Sequence, residues 1–199
     1  MKIALASFAA NLSRAKDLVR MHDHLASRTT SALDSTDVLR AALVLSVSAL
    51  DHFIHELVRL GMLEVHQGRR PATRSFLAFP ITLHATRTAI AVPATTSWLT
   101  DCIRDAHGWQ TFQRPDKIAE AIRLISEVSL WDAVAIQLGA DARAVKADLL
   151  AIVERRNKIA HEADMDPSFP GQRWPISSSL VEGALDFIDR LARAIYKLL

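Results

Sequence analysis

Between residues 35 and 65, Leu39, Leu43, Leu50, Phe53, Leu57 and Leu60 recur at spacings of three, four and seven, with Ser46 in the one gap. A helix turns once in 3.6 residues, so these side chains form a single apolar stripe. A stripe that long needs other amphipathic helices to cover it, and the chain supplies them. Leu5, Phe8, Leu12, Leu18 and Met21 mark a helix from about Ala4 to His24. Val145, Leu149, Ile152 and Ile159 mark another that follows Asp141. Val181, Leu185, Ile188, Leu191, Ile195 and Leu198 mark the last. Strand-like runs of Val, Ile, Thr and Tyr are scarce and only 6% of residues are aromatic, so the expected class is all-α. Four major helices assemble most simply as an antiparallel bundle. The 199 residues fit one domain (1–199), with about 67–139 inserted between the second and third major helices.

Local signals set the boundaries. Ser27 to Ser35 reads as a polar turn, with Asp34, Ser35 and Asp37 as candidate N-caps. Within the insertion, short helices are expected near Thr96 to Ala106, Pro115 to Ile125 and Leu130 to Leu138. Pro115 suits a first turn and Gly139 a C-terminal stop. Asp141 caps the third major helix, Asp166-Pro167 ends it, and one of Ser177, Ser178 or Ser179 caps the last.

Composition narrows the function classes. A net charge of +2 is too small to mark a nucleic-acid binder by itself. The insertion has a basic start: Arg59, Arg69, Arg70, Arg74 and Arg87 oppose only Glu64. That segment reads either as a solvated connector or as a phosphate-tracking surface, with Arg69, Arg70 and Arg74 as candidate RNA contacts. Cys102 is the only cysteine, which excludes an internal disulfide and suits a reducing compartment. No apolar run is expected to reach the ~18–20 residues of a membrane span. Nor does a signal-peptide core with a clear cleavage site open the chain. A soluble cytoplasmic protein without membrane partners is expected. His52-Phe53-Ile54-His55-Glu56 has the wrong order and spacing for a zinc protease, and His22-Asp23-His24 is a poor ligand pair on a helix. Neither a metal site nor a cofactor is expected.

The residues with chemical potential lie in Glu154-Arg155-Arg156-Asn157-Lys158-Ile159-Ala160-His161-Glu162-Ala163-Asp164. Arg156 falls four beyond Ile152 and three before Ile159, where the helix's pattern calls for a hydrophobe. Its guanidinium must therefore be paired, or face a polar cleft or a second chain. Asp51 and Glu56 are the candidate acids. Arg, Asn and His together suit ribonuclease-type phosphoryl transfer. Histidine exchanges protons near neutral pH, arginine supplies fixed donors to a charged transition state, and Asn157 can orient either partner. Asp51 and His55, four apart on the second helix, are possible supporting residues. The alternative is that Arg156 is a structural ion pair and that Asn157 and His161 are ordinary polar residues at a helix end. Residues five apart on a straight helix point about 140° away from each other, so Arg156 and His161 of one chain diverge. A bend near His161, or a second chain across a two-fold axis, would bring them together.

Arg156-Asn157-Lys158-Ile159-Ala160-His161 resembles the R-x4-6-H motif of the HEPN superfamily, in which a polar residue, often Asn, follows the Arg. The wider Arg155 to Asp164 run is similar to the RiboL-PSP-HEPN branch, as is the long helix around Ser46 to Leu57. The resemblance implies a helical bundle that forms homodimers, with two motifs facing one cleft. It also implies metal-independent endoribonucleases that act as toxins or defence effectors, sometimes beside a cognate antitoxin or defence partner. Arg156 and His161 would be catalytic, with Asn157 supporting. Members with degraded motifs only bind nucleotides or partners, and a non-catalytic interaction module is the competing expectation here.

Overall fold

Helix α2 (Thr36–His66) is the element around which the others pack. The computed structural model describes residues 1–30 and 33–199; the centre of the expected 27–35 turn, residues 31–32, lies outside them. Leu39, Leu43, Ser46, Leu50, Phe53 and Leu57 of α2 are buried as its stripe requires, and Leu60 is half-buried at the margin. Ser46 satisfies its hydroxyl by donating to the Leu43 carbonyl (2.8 Å). Ala42, Val47, Ile54, Val58 and Met62 are buried as well, so the covered surface is much broader than one stripe. That breadth corrects the expectation about apolar runs: α2 is long and apolar enough to cross a membrane by length and composition. In this fold, protein covers more than half of its most apolar stretch.

Three long helices provide the cover: α1 (Lys2–Arg28), α8 (Ala142–Glu162) and α9 (Ser178–Lys197). Their pairings fix the directions. The start of α1 meets the end of α2 through Met1 and Glu64 (3.7 Å), and its far end meets the start of α2 through His22 and Ser35 (2.9 Å). Asp23 bonds Ser178 and Lys16 pairs with Asp186 (2.8 Å), so α9 runs opposite to α1. Arg40 near the start of α2 reaches Asp164 just past α8 (2.7 Å). The four therefore alternate in direction, and the class is all-α; no strand occurs among the described residues.

Packing corrects two of the expected stripes. On α1 the buried set is Ala4, Phe8, Leu12, Ala15 and Val19, while Met21 is exposed. Met21 lies about 140° around the helix from Phe8, and the small alanines let α1 approach α2 closely. Phe8 and Phe53 then meet with ring centroids 5.2 Å apart. On α8, Val145, Leu149 and Val153 are buried, whereas Ile152 and Ile159 are half-buried at the edge.

The inserted segment contains α3 (Arg74–Leu77), α4 (Leu83–Ala91), α5 (Ser97–His107), α6 (Pro115–Ile122) and α7 (Leu130–Leu138). Helices α3 and α4 were not expected; Thr73 and Thr82 start them by accepting from the Phe76 and Ala85 amides. Helix α6 stops at Ile122, three residues before the expected end. Pro115 opens α6, and Gly139 closes α7 in the left-handed region (φ 63°). Helices α5 and α6 rest on α2, and α7 rests on α8 and α9. Ile103, Ile118, Ile122 and Val134 consequently join the core that the long helices share. Gly61 lets Ile125 sit against α2; a Cβ there would lie 2.7 Å from the Ile125 side chain.

Candidate functional site

Helix α8 is begun by Asp141, whose carboxylate accepts from the Arg143 (2.8 Å) and Ala144 (3.1 Å) amides. It ends at Glu162, four residues short of Asp166, because Ala163 and Asp164 both adopt left-handed backbone (φ 52° and 58°). The Asp164 amide turns back to the Lys158 carbonyl (3.0 Å). This early stop lets Asp164 re-enter the protein, where it is wholly buried. One oxygen of Asp164 accepts from Arg40 (2.7 Å) and Arg155 (2.8 Å), and both guanidinium groups also bond the Trp174 carbonyl (2.9 and 3.1 Å). The Trp174 amide donates to the Asp164 carbonyl (2.9 Å), and the Lys158 ammonium lies 5.0 Å from the Trp174 ring centre. Burial pulls the Arg155 guanidinium below its ordinary range, against the opposing pull of Asp164. Arg155, Lys158 and Asp164 thus clasp the loop between α8 and α9.

The other polar residues of the stretch lie outside this network. Arg156 is half-buried, in register with Leu149 and Val153, and donates to the side-chain carbonyl of the buried Gln113. It pairs with neither Asp51 nor Glu56. Glu56 is held by Arg59 (2.9 and 2.7 Å), which keeps its carboxyl below the usual range. Asp51 accepts the Phe112 amide (2.5 Å). His55 lies 3.8 Å from the same carboxylate and stacks on the Phe112 ring, with centroids 4.3 Å apart. Asp51 and His55 are therefore linked to Arg156 through two adjacent residues of the insertion, Phe112 and Gln113. His107 lies against Phe112 as well, and burial, followed by the nearby His55, pushes its imidazole below the usual histidine range.

Asn157 is half-buried and His161 exposed, and neither side chain has a hydrogen-bond partner among the described residues. Ala160, one turn beyond Arg156 on the same face, is exposed, so the last turn of α8 looks onto open space. The helix is continuous to Glu162, and Arg156 and His161 of one chain point apart, as their spacing requires.

The three candidate RNA contacts have different surroundings. Arg70 is half-buried and ties Glu64 (2.6 Å) to the Leu199 carbonyl (2.6 Å), whereas Arg69 bonds Gln67. Arg74 is exposed and forms no ion pair among the described residues. No group of three or more His, Cys, Asp or Glu among the described residues is placed to hold a metal ion. Cys102 is only half-buried. The roles of Asp164, Trp174 and Gln113 were not anticipated; their partners lie far along the chain, and no local spacing announces them.

No protein-family model, curated protein or solved structure matches this chain.

Proposed function

We propose that this protein is a metal-independent endoribonuclease of the HEPN type, acting in the cytoplasm as a toxin or defence effector and working as a homodimer. The observation that carries the reading is how the Glu154–Asp164 stretch divides. Arg155, Lys158 and Asp164 are engaged in holding the following loop. Arg156 retains a single side-chain bond to a neutral amide, while Asn157 and His161 are unengaged at an open helix end. The residues of the R-N-x-x-x-H pattern thus stand apart from the clasp, as do the exposed Glu154 and Glu162, and among them only His161 titrates near neutral pH. The alternating directions of the four long helices also support a bundle of this type.

In the proposed reaction the ribose 2′-oxygen attacks the adjacent phosphorus and the bond to the 5′-oxygen breaks. The products are a 2′,3′-cyclic phosphate and a 5′-hydroxyl. His161 accepts the 2′-hydroxyl proton, and the leaving 5′-oxygen takes its proton from water. Arg156 faces the charge that builds on the phosphoryl oxygens. Asn157 orients the phosphate, and Asp51 and His55 hold the Phe112–Gln113 segment that anchors Arg156.

A second reading, a non-catalytic nucleotide-binding or interaction module, is favoured by the Arg156–Gln113 bond, which gives the arginine a structural partner. Incubation with labelled single-stranded RNA in EDTA separates the two. The ribonuclease reading predicts cleavage by the wild type and a loss of about 10²-fold or more in His161→Ala and Arg156→Ala, with thermal melts of His161→Ala unchanged. Intact RNA with the wild type, or equal cleavage by both variants, overturns it.

A further inference from the structure

Helix α4 is packed inside out. Its buried residue is Ala85, whereas Leu83 and Ile90 are 85% and 75% exposed. Seven residues apart, they lie on one side of the helix, with the exposed Arg87 between them. The pattern continues beyond the helix, where Val92 is exposed, as is Leu77 at the end of α3. A single exposed leucine is ordinary, but a nine-residue helix that hides alanine and displays leucine and isoleucine leaves its larger apolar face without a partner. Charge narrows what would cover it. No Asp or Glu occurs between Glu64 and Asp101, and Arg70 is already neutralised by Glu64. Arg74 and Arg87 remain exposed, with no ion pair among the described residues.

We propose that this face of α4 is the docking site for an acidic amphipathic helix of a partner protein. Aliphatic anchors at i and i+7 with a cation at i+4 match recognition between helices, the partner contributing apolar contacts at both ends and a carboxylate opposite Arg87. A second copy of the chain fits poorly, since a two-fold axis through the middle of this face would set Arg87 against Arg87. RNA calls for stacking aromatics and a denser row of cations. A lipid surface calls for a strongly basic helix with interfacial Trp or Tyr, and α4 has one arginine and no Phe, Tyr or Trp.

The test does not depend on RNA cleavage. Two labelled helical peptides of about 18 residues, each with leucine at heptad positions a and d and either glutamate or lysine elsewhere, are titrated with the full chain and followed by anisotropy. The glutamate peptide is expected to bind saturably and at least about tenfold more tightly than the lysine peptide. Leu83→Asn/Ile90→Asn should abolish that binding, and Arg87→Glu should reverse the preference. These side chains are exposed, so unchanged melting curves will show that the variants fold. Equal or absent binding of the two peptides overturns the proposal, as does binding that survives Leu83→Asn/Ile90→Asn. Sedimentation with phosphatidylserine–phosphatidylcholine vesicles that is lost in the same double variant would assign the face to lipid instead.

Discussion

Asp164 is wholly buried against two guanidinium groups, Arg40 (8% exposed) and Arg155 (19%). Removing the carboxylate would leave Arg155 without its counter-charge and the nearly dry Arg40 with only the exposed Asp37, 3.6 Å away. Breaking a buried pair from one side costs more than the pair's net contribution, because desolvation of the surviving charge is no longer offset. Asp164→Ala is therefore expected to lower unfolding stability by about 3–5 kcal/mol in urea melts. Asp164→Asn should fall between that variant and wild type, since it keeps the shape and tolerates the left-handed backbone. A loss under about 1 kcal/mol in Asp164→Ala would mean that the clasp does little for the fold. Within the same stretch, the sequence placed Arg156 in line with Ile152 and Ile159; both lie at the edge of the core, and Arg156 is half-buried beside the Leu149–Val153 row. Spacing gave no hint that Arg155 would be the more tightly engaged of the two, because the decisive partner turns back on α8 through two left-handed residues.

At the scale of the element, α8 shows which boundaries local chemistry determines. Its start was legible, because Asp141 is an N-cap side chain placed just before the first turn. Its end was not. Asp166-Pro167 offered the obvious stop, but tertiary contacts of Asp164 terminate the helix earlier and force Ala163 to φ 52°. An L-residue with a Cβ is strained there, and glycine is the usual occupant of such a position. Ala163→Gly is expected to raise stability by roughly 0.5–1 kcal/mol, seen as a higher melting temperature at an unchanged helix content. A lower melting temperature would show that the left-handed turn is not populated in solution. Helices α3 and α4 were missed for a related reason. They lack the buried periodicity from which helices are read, and α4 turns its large side chains outward.

For the whole molecule, the geometry of α8 sets a requirement on the proposed chemistry. Arg156 and His161 of one chain point apart on an unbroken helix, so a site using both must draw on two chains. Mixing Arg156→Ala protein with His161→Ala protein should then restore RNA cleavage. Random exchange gives heterodimers in about half the population, each with one complete Arg/His set of two, so about a quarter of wild-type activity is expected. No recovery, with subunit exchange verified by labelled chains, would rule out a composite site. The sequence by itself determined the helical class, the buried faces of α2 and α9, the cap at Asp141 and the stop at Gly139, and it narrowed the α9 cap to three serines, of which the fold uses Ser177. All of these depend on side-chain periodicity or on contacts within a few residues. Only the tertiary structure decided which charges are buried, where α8 ends, that Gln113 receives Arg156, and that α4 carries an uncovered apolar face. Each of those depends on residues that meet across the fold, as Arg40 and Asp164 do from 124 positions apart, and the free energy of such a meeting belongs to the packed chain rather than to any local segment.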